Sequence, residues 1–205
     1  MNNSKKKLVR KERTTAPLYG RSDVNIRILG LTPCTGVNIR ILGLTPVSTI
    51  TQREGRWIEG FSMEGYGAGH LGFKYPELFG VVSCICSAAM GYDFWVGYGG
   101  GEPLKIIFGS RERFEANHPF TLAEKNAEML RTKTLVRIMT SQHDTALKPS
   151  RELHDLLDGL RIPHTYMEAP GVGHDYKAVY ETLGYDKTLP LFQKAFEQLR
   201  NVSKK

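Results

Sequence analysis

Hydrophobic and polar positions change period repeatedly along this chain. Short apolar runs at residues 56–61, 81–87, 135–140 and 164–168 have the length and the β-branched content of buried strands. Stretches of helical character follow residue 62 and begin again at Thr121, near Ser150 and near Thr188. Strands alternating with helices predict a mainly parallel sheet covered on both faces, an α/β architecture. The string TLAE at 121–124 predicts a helix start at Thr121, because the Thr and Glu side chains of such a capping box each satisfy an amide of the first turn.

The amino-terminal part follows a different pattern. VNIRILGLTP at 24–33 recurs unchanged at 37–46, and its Val, Ile and Ile alternate with Asn and Arg as in half-buried strands. With turn chemistry in PCTG at 33–36, one reading is a hairpin. The other, which we favour, is a duplicated stretch of coding sequence, since two copies fall short of the three that a repeat array needs. Residues 1–50 are therefore set apart as a basic tail and direct-repeat segment, and 51–205 as one domain.

Composition changes this picture little. With 205 residues and 40% hydrophobic content, the chain can bury one sizeable core. No apolar run approaches the ~20 residues of a transmembrane helix, so no membrane contact is expected. Of the net charge of +7, five come from the tail, where Lys5, Lys6, Lys7, Arg10, Lys11 and Arg13 outweigh Glu12. A solvated tail is the plainer reading, and no nucleic-acid partner is expected. The basic stretch runs into Thr14, Thr15, Ala16 and Pro17 rather than an apolar core, so it is not read as a secretory signal, and a cytoplasmic setting is the expectation. Cys84 and Cys86 lie in a predicted strand and behave as small apolar residues; with Cys34 they offer no metal-ligand spacing.

Candidate chemistry begins at GFSMEG, residues 60–65. A serine between a strand and a small-residue helix has the setting of a nucleophile elbow, which demands small residues two before and two after the serine. Gly60 meets the first demand, and Glu64 departs from the second. An acid and a base follow in the required order. Asp144 lies just beyond the strand at 135–140, and His174 sits in a Gly-rich loop, PGVGH at 170–174, after the strand at 164–168.

These phrases carry a family resemblance. WIEGFSM at 57–63, KYPELFG at 74–80, FTLAEKN at 120–126, IPHTY at 162–166 and PGVGH at 170–174 resemble the esterases of the α/β-hydrolase superfamily, its esterase D and feruloyl-esterase-like group, over about residues 51–199. The resemblance implies an α/β-hydrolase-like sheet with the N-terminal strands partly missing or replaced. It implies Ser62 as nucleophile, Asp144 as acid and His174 as base, with small or aromatic, feruloyl-type esters as substrates. Family members carry Gly at the position of Glu64, an upstream His-Gly loop that donates to the oxyanion, and a longer stretch before the elbow than the 61 residues here. No His-Gly dipeptide precedes Ser62, and the chain looks truncated or rearranged at its amino end.

The expected mechanism is two-step acyl transfer without metal or organic cofactor. The Met63 amide serves as one oxyanion donor, and the second is unassigned. Tyr66, Tyr92, Phe94, Trp95 and Tyr98 are candidate substrate contacts, the last four lying among glycines as a mobile aromatic wall. Glu64 is expected to lower activity. A thioester hydrolase or peptidase with the same triad remains open, as does a weak or inactive hydrolase-like fragment that acts as a binding module.

Overall fold

The computed structural model describes residues 52–202. The basic tail and the direct repeat lie outside the described residues. Four strands, β1 (Trp57–Phe61), β2 (Val81–Ile85), β3 (Leu135–Ser141) and β4 (His164–Ala169), form one sheet in the order β1-β2-β3-β4, every pair parallel. Parallel neighbours need crossovers, and these are helical. They run through α1 (Met63–Lys74) between β1 and β2, α2 to α6 (within residues 92–133) between β2 and β3, and α7 (Leu147–Gly159) between β3 and β4.

Register sorts the side chains of the sheet onto two faces. Ile58, Val82 and Val136 stand opposite one another, as do Cys84 and Ile138, and all five join a core with Phe73, Leu130, Leu153 and Leu157. On the other face Ile85, Met139 and Ala169 pack with Val179, Tyr180 and Leu183 of α8 (Tyr176–Leu183). Both faces are therefore covered, as the sequence predicts.

A polar row crosses this second face. Glu59, Ser83 and Arg137 occupy matched positions on β1, β2 and β3. Arg137 is fully buried; it donates to Ser83 Oγ at 3.0 Å, to the Thr188 carbonyl at 2.6 Å and to Tyr180 Oη at 2.8 Å, and it pairs with Glu59. Tyr180 Oη donates in turn to Glu59 Oε1 at 2.9 Å. Each donor needs a partner because an uncompensated charge here would be costly.

Two local expectations are corrected. The helix expected from Thr121 is α5 (Pro119–Lys125), which starts two residues earlier, since Pro119 fits the first helical position and His118 precedes it as cap. The aromatic and glycine-rich segment holds two helices rather than an open loop: α2 (Tyr92–Trp95) and α3 (Gly101–Phe108) are joined through residues 96–100 with a kink at Gly99, φ 86°. α2 and α3 pack on α4 (Arg111–Ala116), α4 packs on α5, and α5 on α6 (Ala127–Lys133). The chain closes with α8, α9 (Tyr185–Thr188) and α10 (Pro190–Val202), the expected carboxyl-terminal helix. Among the described residues no helix is long and apolar enough to cross a membrane.

Candidate active site

Ser62 stands at the carboxyl end of β1 with φ 60° and ψ −120°, a conformation that L-residues rarely adopt. Such a residue costs about 1–3 kcal/mol and persists only where its surroundings fix it. Here the Ser62 amide donates to the Ile85 carbonyl at 2.9 Å, and its carbonyl accepts from Ala88 at 2.9 Å and from Tyr66 at 3.1 Å. A side chain on Gly60 would place its Cβ 2.1 Å from the Glu64 carbonyl oxygen. On Gly65 a Cβ would lie 3.0 Å from the carbonyl oxygens of both Gly60 and Ile85. The second close approach of the elbow thus falls at Gly65, so Glu64 in the first turn of α1 does not violate it.

The loops after β3 and β4 are stitched together beside this elbow. Gln142 donates to the Ala169 carbonyl at 3.0 Å and His143 to that of Val172 at 2.9 Å, while Gly171 takes φ 68°. Ser141 Oγ, fully buried at the end of β3, donates to the Gly173 carbonyl at 2.7 Å. These bonds bring His174 to Asp144, with Nδ1 to Oδ2 at 2.6 Å. The Asp144 side chain is 1% exposed and that of His174 47%. Nδ1–H donating to Asp144 leaves Nε2 as the basic nitrogen.

Burial alone would raise the Asp144 pKa. The Ala146 amide at 2.9 Å, the His174 imidazole and the Cys86 thiol outweigh it and hold the carboxyl below its ordinary value. Cys86, at φ 42° just past β2, is itself pushed up to about 11, chiefly by burial. The His174 ring lies 4.5 Å from that of Phe61, the neighbour of Ser62. Among the described residues no hydrogen bond joins Ser62 to His174; catalytic hydrogen bonds are often long before substrate binds. Met63 opens α1, so its amide is one of the helix-start donors without an intrahelical acceptor.

The remaining candidates lie elsewhere around the elbow helix. Tyr66 is 5% exposed, its ring against His70, Phe114 and His118, which makes it a packing residue of α1. Phe94 and Tyr98 are exposed and stacked at 5.9 Å, with Trp95 edge-on to both. Tyr92 packs on Phe114 and lies under Arg111, beside a pocket of about 290 Å³ lined also by Phe94 and His118. His143 is exposed. Ser141, Phe61, Cys86 and Gly65 escaped the sequence reading. Their part depends on which loops meet, and only the Gly65 spacing left a trace in the sequence.

A parallel sheet with a strained serine at the end of β1, and a carboxylate–imidazole pair beyond the ends of β3 and β4, is the arrangement of the α/β-hydrolase fold. The sequence model of the family described as "Putative esterase" matches residues 46–199, and the chain belongs to that family. Similar solved structures are a ferulic acid esterase, 21% identical with a TM-score of 0.55, covering 71% of this chain and 53% of that one. The S-formylglutathione hydrolase FrmB of Staphylococcus aureus is 17% identical with a TM-score of 0.57, covering 72% and 58%. Esterase B of Lactobacillus rhamnosis is 14% identical with a TM-score of 0.57, covering 72% and 54%. The chain thus spans little more than half the length of these structures. No curated protein matches the sequence.

Proposed function

We propose that this chain is a serine ester hydrolase acting on small or aromatic carboxylic esters. The observation that carries the reading is the Asp144–His174 pair, held by two stitched loops next to Ser62 in its strained turn. His174 Nε2 takes the proton of Ser62 Oγ as that oxygen attacks the ester carbonyl. Asp144 holds the imidazole in the tautomer that can do so and stabilises its charged form. The tetrahedral oxyanion is steadied by the Met63 amide at the positive end of α1. His174 then protonates the departing alcohol, and water, deprotonated by the same nitrogen, releases the acid and restores the serine.

Phe94 and Tyr98, with half-buried Trp95 edge-on to them, supply an aromatic surface suited to a phenolic acyl group, and Tyr92 lines the pocket beside it. Membership of the esterase family supports esters over amides. The test is hydrolysis of p-nitrophenyl acetate by the purified chain beside a Ser62→Ala variant of matching circular dichroism. The proposal expects turnover to fall at least ~10³-fold in the variant. Equal rates in the two proteins would contradict it.

A further inference from the structure

Away from the elbow, two imidazoles and a carboxylate converge where α7 meets the start of β4. His154 and Asp158 are one turn apart on α7 and so share a face of the helix. His164 opens β4 and is almost completely buried, with its side chain 3% exposed. Its Nδ1 lies 2.8 Å from the Ile162 carbonyl, an acceptor only, so Nδ1 carries the proton and Nε2 is bare. That bare nitrogen faces His154 Nδ1 at 2.7 Å. His154 is oriented in turn by Tyr166, whose ring is parallel to it at 4.2 Å. The Tyr166 hydroxyl donates to Glu168, which is clamped by Arg151 at 2.7 and 2.9 Å.

A buried imidazole whose far nitrogen is tied to a backbone carbonyl is the usual support of a metal-ligating histidine. One ligand atom from each of His154, Asp158 and His164 lies within 4.8 Å of the other two. We propose that these three residues bind a divalent transition-metal ion of the zinc class, which clamps the end of α7 to the start of β4. Metal–nitrogen bonds of about 2.0–2.1 Å would part the two rings by roughly half an ångström from their present contact. Asp158, 65% exposed at its side chain, can swing in to supply the third ligand, with water in the fourth position. Two nitrogens and one oxygen select zinc, copper or nickel over magnesium or calcium.

The site is structural, not catalytic. His164 begins β4 and the triad loops leave from strand carboxyl ends, a strand length of about 16 Å away. Its effect would pass through α7, whose first turn follows Asp144.

The experiment uses the full chain without an affinity tag. Zinc and cobalt are titrated calorimetrically, cobalt also by its visible absorption, and melting temperature is compared in zinc and in EDTA. The proposal expects one ion per chain with tetrahedral cobalt bands, a melting temperature raised by zinc and returned by EDTA, and no response to magnesium. Because His164 is buried, the variants are the more exposed His154→Gln and Asp158→Asn; each should weaken zinc at least tenfold with an unchanged circular dichroism spectrum. No stoichiometric binding, or equal binding in both folded variants, would overturn it and leave a plain histidine–histidine hydrogen bond.

Discussion

Gly60 and Asp144 show how much single residues decide here. A Cβ on Gly60 would meet backbone, which cannot swing aside, so Gly60→Ala should cost at least about 1–3 kcal/mol of stability in urea unfolding. Loss of activity without loss of stability would contradict that reading. Asp144 carries a pH signature. Its folded-state pKa is depressed, so its stabilising effect is fully present above the unfolded value of about 3.9 and is lost as pH falls through the lower folded value. The stability gap between the native chain and Asp144→Asn should therefore be wide at pH 7 and shrink below about pH 4, as urea midpoints would report. The turn at Ser62 and the loops that carry Asp144 and His174 were legible because small and turn-forming residues beside them are local features of the sequence. Gly65 as the second close approach was not, since it depends on how near the Ile85 carbonyl comes from the neighbouring strand.

At the scale of elements, all four predicted strands are present, because buried β-branched runs leave few other choices. Helix starts were harder. Pro119 overrode the box at Thr121, and α8 escaped notice although Asp175 caps it through Ala178 and Gly184 ends it at φ 85°. The aromatic segment was mistaken for a loop because its glycines conceal a helical run that packs against α4. The row Glu59, Ser83 and Arg137 could not be read at all, as it exists only once register is set. Arg137→Ala should cost about 3–5 kcal/mol by stranding Glu59, and Arg137→Met with Glu59→Leu should recover most of it. β2 carries a further prediction. Burial pushes Cys84 up to about 12 and Cys86 up to about 11, so neither should be alkylated in the native chain at pH 7.5, and both should be after urea, by mass mapping.

Over the whole molecule, sheet and loops act as one device. Strand carboxyl ends present Ser62, Asp144 and His174 from separate stretches of chain, and Ser141 fastens the loop of Asp144 to that of His174. The alternation of strands and helices made this class of fold readable from sequence, but not which loops meet. The central claim, that Ser62 is a nucleophile activated by the pair across from it, is tested most directly by covalent capture. Incubation with an alkyl fluorophosphonate, followed by intact-mass and peptide mapping, should show one adduct per chain, on Ser62, and none in a folded His174→Ala variant over the same interval. An unmodified Ser62, or labelling that is unchanged without His174, would contradict the account.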